Sequence, residues 1–179
     1  MGLFILYTRA MWNDSDAPLG FLITFRCYGT WLHGDERGST DRHNNVYGTR
    51  KILRNDHWNA ISTSRLSHPP VTLDRVRRRS VEMAIRETCI KRHWGLLAVN
   101  VRTNHVHVVA AIGGKKPEAA LNAFKANATR QMREDGCWKN AHSPWADKGS
   151  QRYLWTEKHL SDAVEYVVNG QGDDLRRFE

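Results

Sequence analysis

Residues 96 to 112 constrain the fold more than any other stretch, because apolar positions recur with period two across two consecutive runs. Leu97, Val99 and Val101 alternate with Ala98, Asn100 and Arg102, the pattern of a half-buried strand. Thr103-Asn104 is just long enough for a two-residue hairpin turn. Beyond it Val106, Val108, Ala110 and Ile112 share one face, while His105, His107, Val109 and Ala111 share the other. A strand this apolar belongs in a sheet interior, where imidazoles need partners. His105-Val106-His107 sets two imidazoles on one face, roughly 7 Å apart along the backbone. Such a pair can converge on one cation, with a third ligand supplied from elsewhere.

The chain has 179 residues, one domain's worth, and no Gly/Ser-rich or Pro-rich linker divides it. Twenty-seven Lys and Arg against nineteen Asp and Glu give a formal charge of +8, which points to a polyanion such as nucleic acid. Its seven tryptophans, set among basic residues, suit stacking on unpaired bases. Cys27, Cys89 and Cys137 are odd in number and far apart, so neither a disulfide framework nor a C-x-x-C zinc site is expected, and a reducing cytoplasm is the natural location. The apolar opening Gly2 to Leu6 is too short for a signal segment and is soon followed by Arg9, Asp14 and Asp16. No stretch is long enough to span a membrane.

Taken in order, residues 1–18 are expected to form a weakly ordered lead-in. Leu19 to Cys27 reads as the first strand, with Phe21, Ile23 and Phe25 on one face and Leu22, Thr24 and Arg26 on the other. The loop Gly29 to Asp35 then presents Trp31, His33 and Asp35. Residues 36–70 show no sustained period and read as a loop insertion, whose Arg42, Tyr47, Arg50, Lys51 and Trp58 have the chemistry of a nucleic-acid groove. A helix is expected from Val71 to His93, with a stripe of Val81, Ala84, Ile85 and Thr88. Arg75, Arg77, Arg78 and Arg79 crowd its start against the macrodipole, which phosphate binding or, for some of them, a solvated charged face would explain. A second helix starts at Pro117 and runs to about Asp135, burying Leu121, Phe124, Ala128 and Met132. Asn122, Lys125, Thr129 and Arg133 line its flank like a phosphate-contacting edge. Arg152 to Thr156 is a short fourth strand. Ser161 is expected to cap a last helix whose apolar stripe is Ala163, Val164, Val167 and Val168. Tyr166 falls roughly 130° from that stripe at ~100° per residue, so core packing does not explain it. Residues 173–179, with Arg176 and Arg177, form a basic tail.

The order β-α-β-β-α-β with a closing helix predicts an α+β, ferredoxin-like sandwich over residues 19–172: an antiparallel four-stranded sheet with helices packed mainly on one face. Asn104-His105-Val106-His107-Val108-Val109, together with Glu165-Tyr166-Val167-Val168-Asn169, resembles the single-tyrosine HUH transposases of insertion sequences, and among them the REP-associated tyrosine transposases. Gly29-Thr30-Trp31-Leu32-His33-Gly34-Asp35 is similar to a loop motif of one branch of that family. The resemblance implies cleavage and rejoining of single-stranded DNA at hairpin-flanked sites through a covalent 5′-phosphotyrosine. In that scheme His105 and His107 hold Mg²⁺ or Mn²⁺ and Tyr166 is the nucleophile. The family's third ligand lies four residues after the tyrosine, where this chain has Gly170. Gln171 or Asn169 must replace it, and the glycines beside Gln171 favour Gln171. Lys125, Arg130, Arg133, Trp31 and His33 are the expected DNA contacts. The implied partner is hairpin-bearing single-stranded DNA at the cytoplasmic nucleoid. A homodimer is one implied assembly, because relatives that exchange the tyrosine helix are dimers. Two other readings stay open: a catalytically inactive single-stranded nucleic-acid-binding domain on the same scaffold, and a structural zinc site of His105 and His107 with His33 and Asp35.

Overall fold

Alternation along β1 (Gly20–Arg26) sends Phe21, Ile23 and Phe25 into the main core and turns Leu22, Thr24 and Arg26 to the opposite face. β1 is a central strand of the computed structural model, which describes residues 17–35 and 53–171. The remaining elements are α1 (Asp56–Ser64), α2 (Arg75–Arg92), β2 (Gly95–Val101), β3 (His105–Ala111), α3 (Pro117–Glu134), β4 (Ser150–Leu154) and α4 (Glu157–Asn169). The four strands form one antiparallel sheet in the order β2-β3-β1-β4, so the α+β ferredoxin-like topology is the observed one. The hairpin between β2 and β3 closes over Thr103-Asn104, with the Arg102 amide donating to His105 O at 2.8 Å.

The two faces of the sheet are covered unequally. On one, α2 and α3 pack Val81, Ile85, Phe124 and Met132 against Phe25, Ile23, Val106 and Val108. On the other, α4 contributes Ala163 and Val167 to a small cluster with Ala98, Val109 and Leu154. His105 and His107 lie on this second face, beyond the patch that α4 seals.

Five sequence expectations need correction, the first being that β4 spans Ser150–Leu154 rather than Arg152 to Thr156. The span 36–70 is not loop throughout, since Asp56–Ser64 is helical, capped by the Asn55 side chain accepting from the Trp58 amide at 2.9 Å. No residue of α1 is buried, so it carries no apolar stripe for periodicity to detect. α2 begins at Arg75 rather than Val71. Val71 and Leu73 are buried in an extended segment bonded to Tyr28 O and Thr103 O, and Asp74 caps the helix through the Arg77 amide. That carboxylate answers the arginine-rich first turns, and Arg77 is occupied by the carbonyls of Thr72 and Cys137. α4 is capped by Thr156, which accepts from the His159 amide at 3.1 Å, so Ser161 lies inside the helix. A register irregularity between Leu96 and Ala98 breaks the alternation of β2 and leaves Leu97 exposed. The lead-in up to residue 16, Arg42, Tyr47, Arg50, Lys51 and the basic tail lie outside the described residues.

Candidate active site

Sheet register builds the site. His107 sits on β3 between Thr24 of β1 and Asn100 of β2, and His105 sits opposite Arg26. Their rings meet edge to face at 4.7 Å between centroids. His107 is 4% exposed, and its Nδ1 lies 2.7 Å from Thr24 Oγ1. Asn100 Nδ2 donates to Val167 O at 2.9 Å and so ties α4 to the sheet beside the histidines. That tie places the Tyr166 ring edge-on to His107, with centroids 5.4 Å apart, while the tyrosine stays 46% exposed. The residue that the apolar stripe left unexplained therefore faces the imidazole pair.

The end of α4 brings in a fourth side chain. At Gly170 a Cβ would stand 2.8 Å from Tyr166 O and 3.0 Å from Tyr166 Cδ2, so the chain passes closer to the tyrosine than other residues allow. The next residue, Gln171, donates from Nε2 to Tyr166 O at 3.0 Å and presents Oε1 3.4 Å from His105 Nε2. Asn169 instead bonds Glu165 on the exposed side of the helix. Of the two candidates for a third ligand, Gln171 is the one brought to the histidines.

Electrostatics favour a neutral imidazole at His107. Burial, then the neighbouring His105, push the His107 pKa down to about 4, opposed in part by a hydrogen bond to Gln171. His107 is therefore uncharged at neutral pH and keeps a lone pair for a cation. His105 Nδ1 lies 2.7 Å from Asn104 Oδ1. Two imidazole nitrogens and a carboxamide oxygen fit a divalent ion with open coordination positions. Among the described residues no three His, Cys, Asp or Glu side chains converge, so the structural zinc site of His105, His107, His33 and Asp35 is not assembled. Cysteine chemistry is remote too, since burial raises the Cys27 and Cys89 thiols to about 12 and about 11.

The loop after β1 forms one wall. Trp31 has a φ of +52°, unusual for a bulky residue, and its ring lies 5.0 Å from that of His105. Arg26 holds it there, its guanidinium 5.5 Å from the indole centroid and its Nη1 donating to Trp31 O at 3.1 Å. His33 lies further out, 6.0 Å from the exposed ring of Trp58 on α1. The basic residues of α3 are not part of this assembly, because α3 packs on the other face of the sheet. Lys125 Nζ donates to the carbonyls of Ala146 and Lys148, Arg133 to those of Asn140 and Ala141, and Arg130 pairs with Glu134. Lys125 and Arg133 thereby seat the loop that precedes β4 on α3. Thr24, Asn100 and Arg26 are site residues to which the sequence alone assigns a place on a strand and no further role. Only the cross-strand register, which a single sequence does not display, brings them to the histidines.

No protein-family profile and no curated protein sequence matches the chain. Among solved structures it is similar to a REP-associated tyrosine transposase bound to a REP hairpin, at 10% identity and a TM-score of 0.47, over 84% of this chain and 65% of the other. It is also similar to a chain from Deinococcus radiodurans R1 designated a transposase, at 12% identity and a TM-score of 0.44, over 84% of this chain and 88% of the other. The chain thus spans less than two thirds of the first structure's length.

Proposed function

We propose that the protein is a metal-dependent enzyme that cleaves and rejoins single-stranded DNA at hairpin-flanked sites, with Tyr166 as the nucleophile. One observation carries this reading: an exposed tyrosine on α4 lies against the buried His107, while Gln171 at the end of the same helix reaches His105. The sequence resemblance of both segments to the single-tyrosine HUH transposases supports it. His105, His107 and Gln171 would hold one Mg²⁺ or Mn²⁺, which when bound supplies positive charge to the scissile phosphate and the leaving oxygen. The Tyr166 hydroxyl oxygen bonds to phosphorus as the bond to the 3′ oxygen breaks. That oxygen keeps the electron pair and takes up a proton, and the phenolic proton passes to water. The 5′-phosphotyrosine conserves the phosphodiester, so a DNA 3′-OH reverses the step with no nucleotide triphosphate. Trp31, His33 and Trp58 would offer aromatic rings to unpaired bases, and the +8 charge would attract the phosphates. Among the described residues no helix is long and apolar enough to cross a membrane.

The test is incubation with single-stranded hairpin DNA from the sequence flanking the protein's own gene. Denaturation-resistant adducts are expected with Mg²⁺ or Mn²⁺ and none with a chelator. Hairpin binding without adducts in either metal would replace this reading with the inactive binding domain. Gly170→Ala is a graded version of the same test. The added methyl group pushes on the Tyr166 ring and carbonyl, so adduct formation is expected to slow by roughly tenfold, as small misplacements of a reacting group do. The melting temperature should fall only modestly, because the methyl group meets the Tyr166 carbonyl but Gly170 is exposed at a helix end where the chain can shift. An unchanged rate would show that the approach of the chain to Tyr166 does not set the nucleophile's position.

A further inference from the structure

We propose that His33 and Trp58 are the two walls of a slot that takes one unpaired base between their rings, with Gly34 as the seat that sets the slot's width; this rests on the single-stranded DNA reading above. The two rings come from different elements, His33 from the loop that follows β1 and Trp58 from the first turn of α1. Their centroids lie 6.0 Å apart and their planes are tilted by 39°, so they form an open wedge rather than a closed stack. Trp58 is 48% exposed, and His33 is exposed as well. A base held between two rings needs about 7 Å, twice the roughly 3.4 Å spacing of stacked bases. The wedge falls about 1 Å short of that width, so a small shift of α1 would admit a base.

Gly34 fixes where α1 begins. Its carbonyl accepts from the Asn55 amide at 3.1 Å, and the Asn55 side chain in turn accepts from the Trp58 amide at 2.9 Å. One residue thus docks the helix on the loop and caps it at the tryptophan. Gly34 is buried with a φ of +84°, and a Cβ there would collide with Asn55 O and stand 2.9 Å from Asn59 N. Only glycine lets the loop and the start of the helix approach this closely. Beyond its far end α1 is tied through the Ser67 amide, which donates to the Tyr28 hydroxyl at 3.0 Å. No residue of α1 is buried between these two ties, so a shift sacrifices little packing. Two observations make the occupant a nucleobase. The formal charge of +8 draws a polyanion, and two flat rings suit any base regardless of sequence. His33 also lies two residues beyond Trp31, whose ring is 5.0 Å from that of His105, so a strand passing the candidate metal site reaches the slot along one loop.

Fluorescence anisotropy with labelled oligothymidine and with a labelled blunt-ended duplex, both in chelator, reads the slot without any reaction. Trp58→Ala and His33→Ala should each weaken oligothymidine binding, Trp58→Ala by roughly tenfold as the loss of one stacked base does, and leave the duplex within about twofold. Trp58→Phe keeps a ring and should stay close to wild type. Gly34→Ala should unseat the start of α1 and copy Trp58→Ala. The two combined should bind no more weakly than Trp58→Ala alone, because both remove the same contact. His33→Ala and Trp58→Ala decide the matter even if Gly34→Ala does not fold. Equal losses on both probes, or oligothymidine binding that neither alanine variant changes, would overturn the slot. A loss with Trp58→Ala and none with His33→Ala would overturn it too, leaving one stacking ring. Oligothymidine selectivity that follows both rings in a protein that forms no adducts would instead overturn the enzyme reading and leave the slot standing.

Discussion

Tyr166→Phe should abolish the covalent protein–DNA adduct, a fall of more than about 10³-fold in its rate of formation, while hairpin affinity stays within about twofold. The substitution deletes one oxygen and keeps the ring that meets His107 edge-on. Since Tyr166 is 46% exposed, the change in stability should lie within about 0.5 kcal/mol. No other described side chain stands ready to replace it. Tyr153 is comparably exposed, but it packs against Phe21 on the opposite face of the sheet from the histidines. The Tyr28 hydroxyl accepts from the Ser67 amide, and the Cys27 and Cys89 thiols are buried with raised pKa values. Tyr153→Phe therefore serves as the matched control and should form adducts at the wild-type rate. Labelled hairpin DNA on a denaturing gel reads both variants. Adducts retained by Tyr166→Phe would place the nucleophile on another residue and remove the case for α4 as the catalytic helix.

The sheet and two of its covering helices were legible because their sequences obey one period each. Phe21, Ile23 and Phe25 with Val106 and Val108 carry period two, and Leu121, Phe124, Ala128 and Met132 carry the helical repeat; all are buried where those periods put them. Elements without a buried face were invisible by the same logic, as α1 shows. The polar first turn of α4 hid its start, because Glu157, Lys158 and His159 precede any apolar residue. Lys125 and Arg133 illustrate a different limit. A cation on a helix flank suits a phosphate oxygen and a carbonyl oxygen equally, so their partners in the loop before β4 could be recognised only once the loop was folded onto α3. The site was legible along the chain but not across it. The His-x-His face and the off-stripe tyrosine follow from periodicity, whereas the roles of Thr24, Asn100 and Gly170 depend on strand register and on a close approach of backbone to Tyr166.

His107→Ala should cost metal affinity and also change how the fold responds to acid. The imidazole is a buried polar group that the structure holds neutral, its pKa pushed down from 6.5 to about 4 mainly by burial. As pH falls below about 6.5 the unfolded chain takes up a proton at this residue that the native chain refuses. The native state's advantage from this group is therefore complete above the unfolded value and is lost as pH falls toward about 4, a change on the order of 3 kcal/mol. With a chelator present, urea unfolding of wild type should weaken across that window more steeply than that of His107→Ala, so the two stabilities converge in acid. Parallel curves would mean that His107 titrates alike in the native and unfolded chains and would remove the argument that burial holds it neutral across that window. At neutral pH the same variant should bind Mn²⁺ more weakly by more than the roughly 10–100-fold that losing a ligand's hydrogen-bond partner costs, because a ligand itself is gone. Adduct formation should vanish with it, while hairpin binding, carried by charge and by rings outside the metal site, should persist.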